Sequence, residues 1–568
     1  LGWELQLLRE LPFVGHADYA DNAVVARNLL RGRGWVVDYV SQFYYLVPGG
    51  TVTRPQEAWP LLQPLLMLPS MALWGATPFA ARVPNILFMA VLTLLIYHIG
   101  ARAWDRRVGL IAALLTLANV LFFYLAIYAT SDLALTVWSM AAFWLVYQAT
   151  EEVARPGSAS AQPARLWSRF GRWIWAGVFT GLMILQKPGA AIFALGMGIW
   201  VLWRLFSERR ATKLSLRAWN SEHLPPLLVW IAITMLVVAP YLVRNLQVFG
   251  KPFFSTEAFD AWVLYFRGTR EEAWEDIYKV YAPELGGPGV PDRSWILRWG
   301  YDLTLNKIGQ QIRQAFKFFA PPTGELLGIA GTWLMLLGLL TLRRRQRRLV
   351  GLVCTALILY TAFLCLYWHT YGEPRYFVPF VPWLALLAAW GACRLFDSVA
   401  AVGQGRWTGL GGLIACLALA TAVEPHWRAI DAYLDPQSAR YWGKNWQADL
   451  EAYAWLRQHT APDAVVMTRV PWQLNFHADR PAVMIPNADG EQIMRIASYY
   501  GADYLLVNGS STSQPERDGA LKPLARGTPP PGWQLVHEVP DRYNGAPVRI
   551  YRFPPDDARV QETQPGDR

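Results

Sequence analysis

Cysteine and charge are both scarce here: four cysteines stand among 568 residues, and only 17% of the residues are charged. Cys354, Cys365, Cys393 and Cys416 all fall inside apolar runs, which leaves no disulfide framework and reads them as small packing residues. Gly-rich phosphate cradles, CxxC pairs and GxSxG elbows are missing, and with them the signatures of nucleotide-driven transport and serine hydrolysis. The sequence opens at Leu1 without Met, and "LGWELQLLRELPF" is too short and too charged to span a bilayer or act as a signal peptide.

What the chain has in abundance is apolar surface: 54% of it is hydrophobic and 14% aromatic, with a mean hydropathy of +0.18. Apolar runs approach the roughly 20 residues that cross a hydrocarbon core. They extend over 83–100, 108–126, 133–150, 173–185, 190–206, 227–242, 326–342, 349–367, 377–395 and 410–423. The expected fold class is an all-α polytopic membrane domain of about 10–11 transmembrane helices plus interfacial helices, followed by a soluble α/β domain.

The net charge of +10 does not point to nucleic acid, because the basic residues collect in alternate loops. Arg102, Arg106 and Arg107 follow the first run; Arg155, Arg165, Arg169 and Arg172 the third; Arg204, Arg209, Arg210, Lys213 and Arg217 the fifth. "RRRQRR" at 343–348 follows the seventh, and Arg394 and Arg406 the ninth. The positive-inside rule makes these loops cytoplasmic and places residues 15–34, the loop 246–324 and everything after Val423 outside. That alternation asks for one more span ahead of Leu1; a chain that begins outside is the plainer alternative.

Three stretches outside the spans stand out. Residues 9–80 hold a charged helix, "DYADNAVVARNLLRG", a Gly/Pro/Tyr-rich stretch, and "LLQPLLMLPSMALWG", which is short, Pro-interrupted and expected at the membrane interface. The loop 246–324 mixes aromatic and charged residues like helices lying on a membrane surface. Residues 431–555 read as the α/β domain, with strands at "DAVVMTR", "PAVMIPN", "ADYLLVN", "WQLVHEVP" and "VRIYRFP" and helices at "LEAYAWLRQHT" and "EQIMRIASYYG". A linker at 151–165 and a tail at 556–568 have the composition of unstructured segments. The polytopic domain is thus 1–430.

Ionisable groups at span ends are costly unless they pair or work. On the outer side stand Asp18, Asp21, Glu57, Asp132, Lys187, Arg244 with Asn245, and Arg375 with Tyr376. Each has a plain structural reading: Asp132 as a helix N-cap, and Lys187, Arg244 and Arg375 as side chains reaching for the interface. Together they sketch an outer pocket in which a carboxylate takes a proton from an acceptor while Arg and Lys hold the phosphate of an amphiphilic donor. A divalent metal on His16, Asp18 and Asp21 is the alternative, although helical spacing directs the two carboxylates to different faces.

The series "HADYADNAVVARNLLRGRGW", "RPQEAWPLLQPLL", "ATSDLALT", "QKPGAAIFAL", "APYLVRNLQVFGKPFFS" and "EPRYFVPFVPWLALLAAW" resembles the polytopic C-type glycosyltransferases that use polyprenyl-phosphate sugars. The branch it is similar to holds bacterial relatives of protein O-mannosyltransferases and of the lipid A aminoarabinose transferase. The resemblance runs through most of residues 10–400. It implies that Asp18 is the catalytic base, with Tyr19 where the family often has a second acid, a role that passes to Asp21. Asp132 matches the second acidic position and Arg375-Tyr376 the late Arg-Tyr element. It further implies a multi-pass protein of the plasma membrane, whose site and C-terminal domain face outward. Its function is then to move a hexose or pentose with inversion from a polyprenyl-phosphate-linked sugar to an extracytoplasmic lipid, glycan or protein, with no cofactor beyond an optional divalent metal. A transporter or flippase of a lipid-linked glycan, with the same charges lining a pathway, is the competing class; inverted repeats would mark it, and no convincing pair is found.

Overall fold

The computed structural model describes residues 2–47, 49–59, 61–153, 166–212, 216–265, 271–290, 301–320, 324–367, 373–403, 405–512, 515–543 and 546–554. The expected tail at 556–568 and most of the expected linker lie outside the described residues.

All ten apolar runs are helical. Among the described residues seven helices are long and apolar enough to cross a membrane: Pro78–Ala103, Asp132–Val153, Pro188–Arg210, Leu224–Phe249, Arg344–Cys365, Pro374–Val402 and Thr408–Leu434. An eighth span results if Arg106–Leu117 and Val120–Ile127, which meet at 62°, are taken as one. The bend has a local cause. Asn119 caps the second helix by accepting from the Leu121 N–H at 3.0 Å, and its amide donates to the Leu326 carbonyl at 2.6 Å, so the run is broken where a polar side chain has its own partners. The helices Leu166–Gln186 and Gly328–Leu340 complete the bundle. Gly338 and Gly391 let the last of these touch the helix Val381–Val402 backbone to backbone; a Cβ at either would lie 2.0 or 1.9 Å from a carbonyl oxygen of the facing helix.

The expected interfacial segment is a helix, Leu62–Trp74, whose Met67, Ser70 and Met71 are buried. Ser70 donates to the Ala80 carbonyl at 2.7 Å and so ties it to the first span. Arg82, fully buried in that span, donates to the carbonyls of Leu8, Leu11, Phe13, Pro78 and Ile127. One guanidinium thereby pins the N-terminal segment onto the bundle with its hydrogen-bonding capacity met by backbone alone.

Strands β1 (Val36–Val37), β2 (Tyr39–Val40) and β3 (Arg54–Pro55) come from the first loop; β4 (Val465–Thr468), β5 (Ala482–Met484), β6 (Ala502–Val507), β7 (Gln534–Val539) and β8 (Val548–Arg552) come from the C-terminal part. β1 and β3 form a small ribbon, and the other six form one sheet in the order β2-β5-β4-β6-β8-β7. The β2-β5-β4-β6 half is parallel and the β6-β8-β7 half antiparallel. The first loop therefore donates an edge strand to the C-terminal sheet. A continuous apolar core joins Val14, Ala20, Val24 and Met67 to Val466, Leu474, Val483 and Leu505. The loop after Leu246 is sewn in as well: the Phe43 carbonyl accepts from the Tyr281 and Ala282 N–H groups at 3.0 and 2.8 Å, and the Tyr278 carbonyl from the Asn487 N–H at 2.9 Å.

Candidate active site

The helix Ala17–Leu30 is buried along most of its length between the bundle and the sheet. It is entered through an unusual turn: Gly15 has φ +115° and Ala17 has φ +26°. A Cβ on Gly15 would fall 2.6 Å from the Tyr19 ring, so glycine is required there. The positive φ of Ala17, a residue with a side chain, is backbone strain held immediately before Asp18.

Asp18, 8% exposed, receives an Arg375 N–H at 3.3 Å, and the same guanidinium donates to the Tyr19 hydroxyl at 2.9 Å. Arg375 also lies over the rings of Tyr19 and Tyr376, 5.8 and 6.0 Å from their centroids, and 3.3 Å from the Glu373 carboxylate. Asp132 begins its helix yet does not cap it. Its carboxylate pairs with Lys187 and accepts from the Thr130 hydroxyl at 2.8 Å, while the Thr130 oxygen takes the Asp132 N–H at 3.1 Å. The charge of Arg375 acts on Asp132 as well as on Asp18, so these two ion pairs form one field.

Asp21 is on the same helix but turned inward. It is fully buried and accepts from Tyr39 and Gln56, and burial pushes its carboxyl up to about 7 despite both hydrogen bonds. His16 is exposed, with its ring 6.1 Å from those of Trp446 and Trp472. His16, Asp18 and Asp21 thus do not converge, and among the described residues no three His, Cys, Asp or Glu side chains are grouped to hold a metal. The three-ligand reading of this stretch is corrected accordingly: Asp18 is taken by Arg375, and Asp21 by a tyrosine and an amide.

Glu57, Arg244 and Asn245 build a neighbouring cluster. Glu57 pairs with Arg54 at 2.8 Å and accepts from Tyr45. Arg244 donates to the Gln56 carbonyl at 2.7 Å and to Asn245 Oδ1 at 3.0 Å, and packs 5.0 Å over the Phe249 ring. Asn245, fully buried, donates to the carbonyls of Pro252 and Phe254 at 3.4 and 3.5 Å. These contacts hold the start of the 246–324 loop against the Glu57 segment, and the Ser255 hydroxyl extends the seam to the Ala58 carbonyl at 2.6 Å.

That seam delivers a residue sequence reasoning missed. Glu257 opens the helix Glu257–Tyr265 with its carboxyl pushed up to about 8, first by burial and then by Asp260; Asp18 acts in the same direction, and Lys187 and Arg375 oppose it. Asp260, held by Tyr44 and by Gln42 at 2.6 Å, is itself raised to about 7 by burial. Chemically, one end of the bundle collects the carboxylates of Asp18, Asp132, Glu257 and Glu373 and the two cations Lys187 and Arg375 around a strained helix start. Such a set can hold a phosphate on its cations and take a proton on a carboxylate.

Comparison with known proteins bears on the fold that holds these residues. Residues 59–243 match the dolichyl-phosphate-mannose-protein mannosyltransferase family. A 209-residue stretch is 24% identical to the undecaprenyl phosphate-alpha-4-amino-4-deoxy-L-arabinose arabinosyl transferase of Erwinia tasmaniensis, over 35% of this chain and 33% of that one. This chain is therefore matched to only about a third of that relative's length. The crystal structure of ArnT from Cupriavidus metallidurans bound to undecaprenyl phosphate superposes with a TM-score of 0.56 at 12% identity, covering 97% of this chain and 96% of the other. The chain has the C-type glycosyltransferase fold. The archaeal oligosaccharyltransferase AglB from Archaeoglobus fulgidus, in complex with an inhibitory peptide and a dolichol-phosphate, also shares the fold, with a TM-score of 0.56 and 14% identity over 87% of this chain and 66% of that one. The resemblance and the fold class expected from the sequence both hold, but among the described residues seven helices, or eight with the bent pair, have spanning length where about 10–11 were expected, the apolar helices Leu62–Trp74 and Gly328–Leu340 being too short.

Proposed function

We propose that the chain is a membrane glycosyltransferase that moves a sugar from a polyprenyl-phosphate donor to an acceptor on the outer face of the plasma membrane, with Asp18 as general base. The observation that carries this reading is the Arg375 guanidinium reaching Asp18 and Tyr19 beside the Asp132–Lys187 pair, in a fold of which two solved examples hold a lipid phosphate.

An acceptor hydroxyl attacks the anomeric carbon as the bond from that carbon to the phosphate oxygen breaks. The hydroxyl proton passes to Asp18, and polyprenyl phosphate leaves from the opposite face, which inverts the anomeric configuration. Arg375 and Lys187 receive the phosphate charge. Because Arg375 is paired with Asp18 beforehand, an arriving phosphate competes for the guanidinium and releases the carboxylate to act as a base. Asp132 keeps Lys187 aimed, and Asp21 stiffens the helix that carries Asp18. Placing the site outside rests on the basic loops gathering at the other end of the bundle, where Arg204 and Arg348 meet Glu151.

Purified protein incubated with a panel of polyprenyl-phosphate sugars tests the proposal. Cleavage of at least one donor, with the released sugar found on an acceptor in the inverted configuration, is expected. A panel of hexose and pentose donors that all stay intact in the presence of membrane extract overturns it.

A further inference from the structure

The short helix Pro471–Ala478 belongs to the C-terminal sheet domain, yet its side chains reach both ends of the segment that carries Asp18. Ahead of Asp18, the Val14 N–H donates to His477 Nε2 at 3.3 Å, one residue before the positive-φ turn at Gly15. Behind it, Arg27 is 3% exposed and donates to the Asn475 carbonyl at 2.8 Å and to Asn475 Oδ1 at 2.7 Å, with Asp479 at 3.0 Å. Asn475, 1% exposed, spends its amide on the carbonyls of Asp38 at 3.1 Å and Arg480 at 2.8 Å. The Asp38 carbonyl also takes the Ala482 N–H at 3.1 Å, where β2 joins β5. Residues 14, 27 and 38 are thus fixed by residues 475, 477 and 482 of another part of the chain.

We infer that Asn475 and His477 are positioning residues for Asp18, so that the C-terminal domain completes the catalytic site instead of merely hanging beside it. The inference rests on Asp18 being the base. Physically, Asp18 lies in the first turn after a strained entry, and a helix end held on one side only would relax that strain. His477 anchors the approach and Asn475 fixes the helix axis through Arg27. Burial holds the His477 imidazole down to about 3, so it is neutral in ordinary buffers and free to accept the Val14 N–H at Nε2. The donor phosphate is assigned to Lys187 and Arg375, which neither residue touches. Loosening the clamp therefore displaces the base without loosening the donor.

The test is kinetic and uses the full chain in detergent or nanodiscs. Asn475→Ala and His477→Ala are expected to lower kcat about 10- to 100-fold, the usual cost of a misplacement near 1 Å, with the donor KM unchanged. His477→Gln, whose side-chain carbonyl can still accept from Val14, is expected to recover most of the loss. If Asn475→Ala fails to accumulate, Arg27→Lys takes its place, keeping the charge opposite Asp479 while losing the fork onto Asn475. Wild-type kcat in the alanine variants overturns the inference. So does a donor KM that rises in step with the kcat loss, and so does a glutamine that behaves like alanine while melting like wild type. Asp18→Asn run alongside separates the two claims: full turnover there removes the base itself, whereas an inactive Asp18→Asn beside fully active clamp variants removes only the positioning role.

Discussion

The helix Asp132–Val153 is acidic at both ends, and its two ends are neutralised differently. At 22 residues it is about 33 Å long, so the ends sit on opposite sides of the apolar bundle. At the far end Glu151 is shared between Arg204 at 3.0 Å and Arg348 at 2.7 Å, Glu152 pairs with Arg172, and Arg204 also reaches Glu208 at 3.5 Å. Along that rim three arginines meet three glutamates, one for one, as loops that stay in a water-accessible layer allow. At the near end carboxylates are in excess: among the described residues Asp18, Asp132, Glu257 and Glu373 share Lys187 and Arg375. The Lys187 ammonium has three donors, and Asp132 is its only ion-pair partner among the described residues. An excess of carboxylate beside cations with hydrogen-bonding capacity to spare is expensive to keep for stability alone. It suits a place where a phosphate arrives and a proton leaves.

The contrast breaks most sharply at Asp18. Asp18→Asn keeps the shape and removes the proton acceptor, so turnover is expected to fall about 10³-fold, with expression and melting temperature near wild type. Turnover within tenfold of wild type removes Asp18 as the base.

Next in size is Arg375. Arg375→Ala is expected to cost about 100-fold in kcat/KM for the donor, since it deletes a charged hydrogen-bond donor from a partly desolvated site. Arg375→Lys retains the charge without the planar fork and is expected to cost about tenfold. A lysine variant with the wild-type donor dependence would make Arg375 an interfacial anchor, as the far-end arginines are.

How far could this contrast be read beforehand? The spans and the charges at their ends are legible because a bilayer makes both conspicuous: long apolar runs are rare elsewhere, and a charge within them needs a reason. Asp18, Asp132, Lys187 and Arg375 stand out on that ground and prove to be neighbours. The five strands of residues 465–552 are legible from alternation. What stays hidden depends on distant partners. β2 is two residues long, too short for any period to show, and exists because β5 lies beside it. Asn475 meets Asp38 from 437 residues away, and nothing in "PWQLNFHA" announces that. Glu257 sits in a loop where acidic and aromatic residues alternate, so its own sequence context marks it as ordinary solvent-facing charge. Arg244 and Asn245 show the converse: polar residues at a span end that look available for a phosphate also bind the fold, Arg244 through the Gln56 carbonyl and Asn245 Oδ1, and Asn245 through the carbonyls of Pro252 and Phe254.

Asp21 sharpens the comparison by its modest effect. Asp21→Asn is expected to lower turnover only several-fold, because the residue is buried with its carboxyl oxygens held by Tyr39 and Gln56. It should also alter the pH dependence of stability. Burial pushes the native carboxyl up to about 7, above the roughly 3.9 of an unfolded aspartate. The folded state therefore binds more protons between those values, and stability falls as pH rises from about 4 through about 7. Thermal melts from pH 5 to 8 should show a shallower decline in Asp21→Asn than in wild type. The decline will not vanish, since Asp260 and Asp449 are also raised to about 7. An unchanged slope would mean that Asp21 is ionised in the fold.

The smallest effect belongs to the far end, and it is the control that gives the others meaning. Glu151 is held by two arginines, each long enough to find water or a lipid headgroup when its partner is lost. Both arginines keep other neutralising choices nearby, Glu208 for Arg204 among them. Glu151→Gln retains the shape and a hydrogen-bond acceptor, so no buried charge is left bare, and the stability lost should be about 1 kcal/mol or less. Turnover should stay within about twofold of wild type, with the donor KM unmoved. If Glu151→Gln instead slows turnover as much as Arg375→Lys does, the two ends of this helix are coupled, and the division between a reacting end and an anchoring end does not describe the molecule.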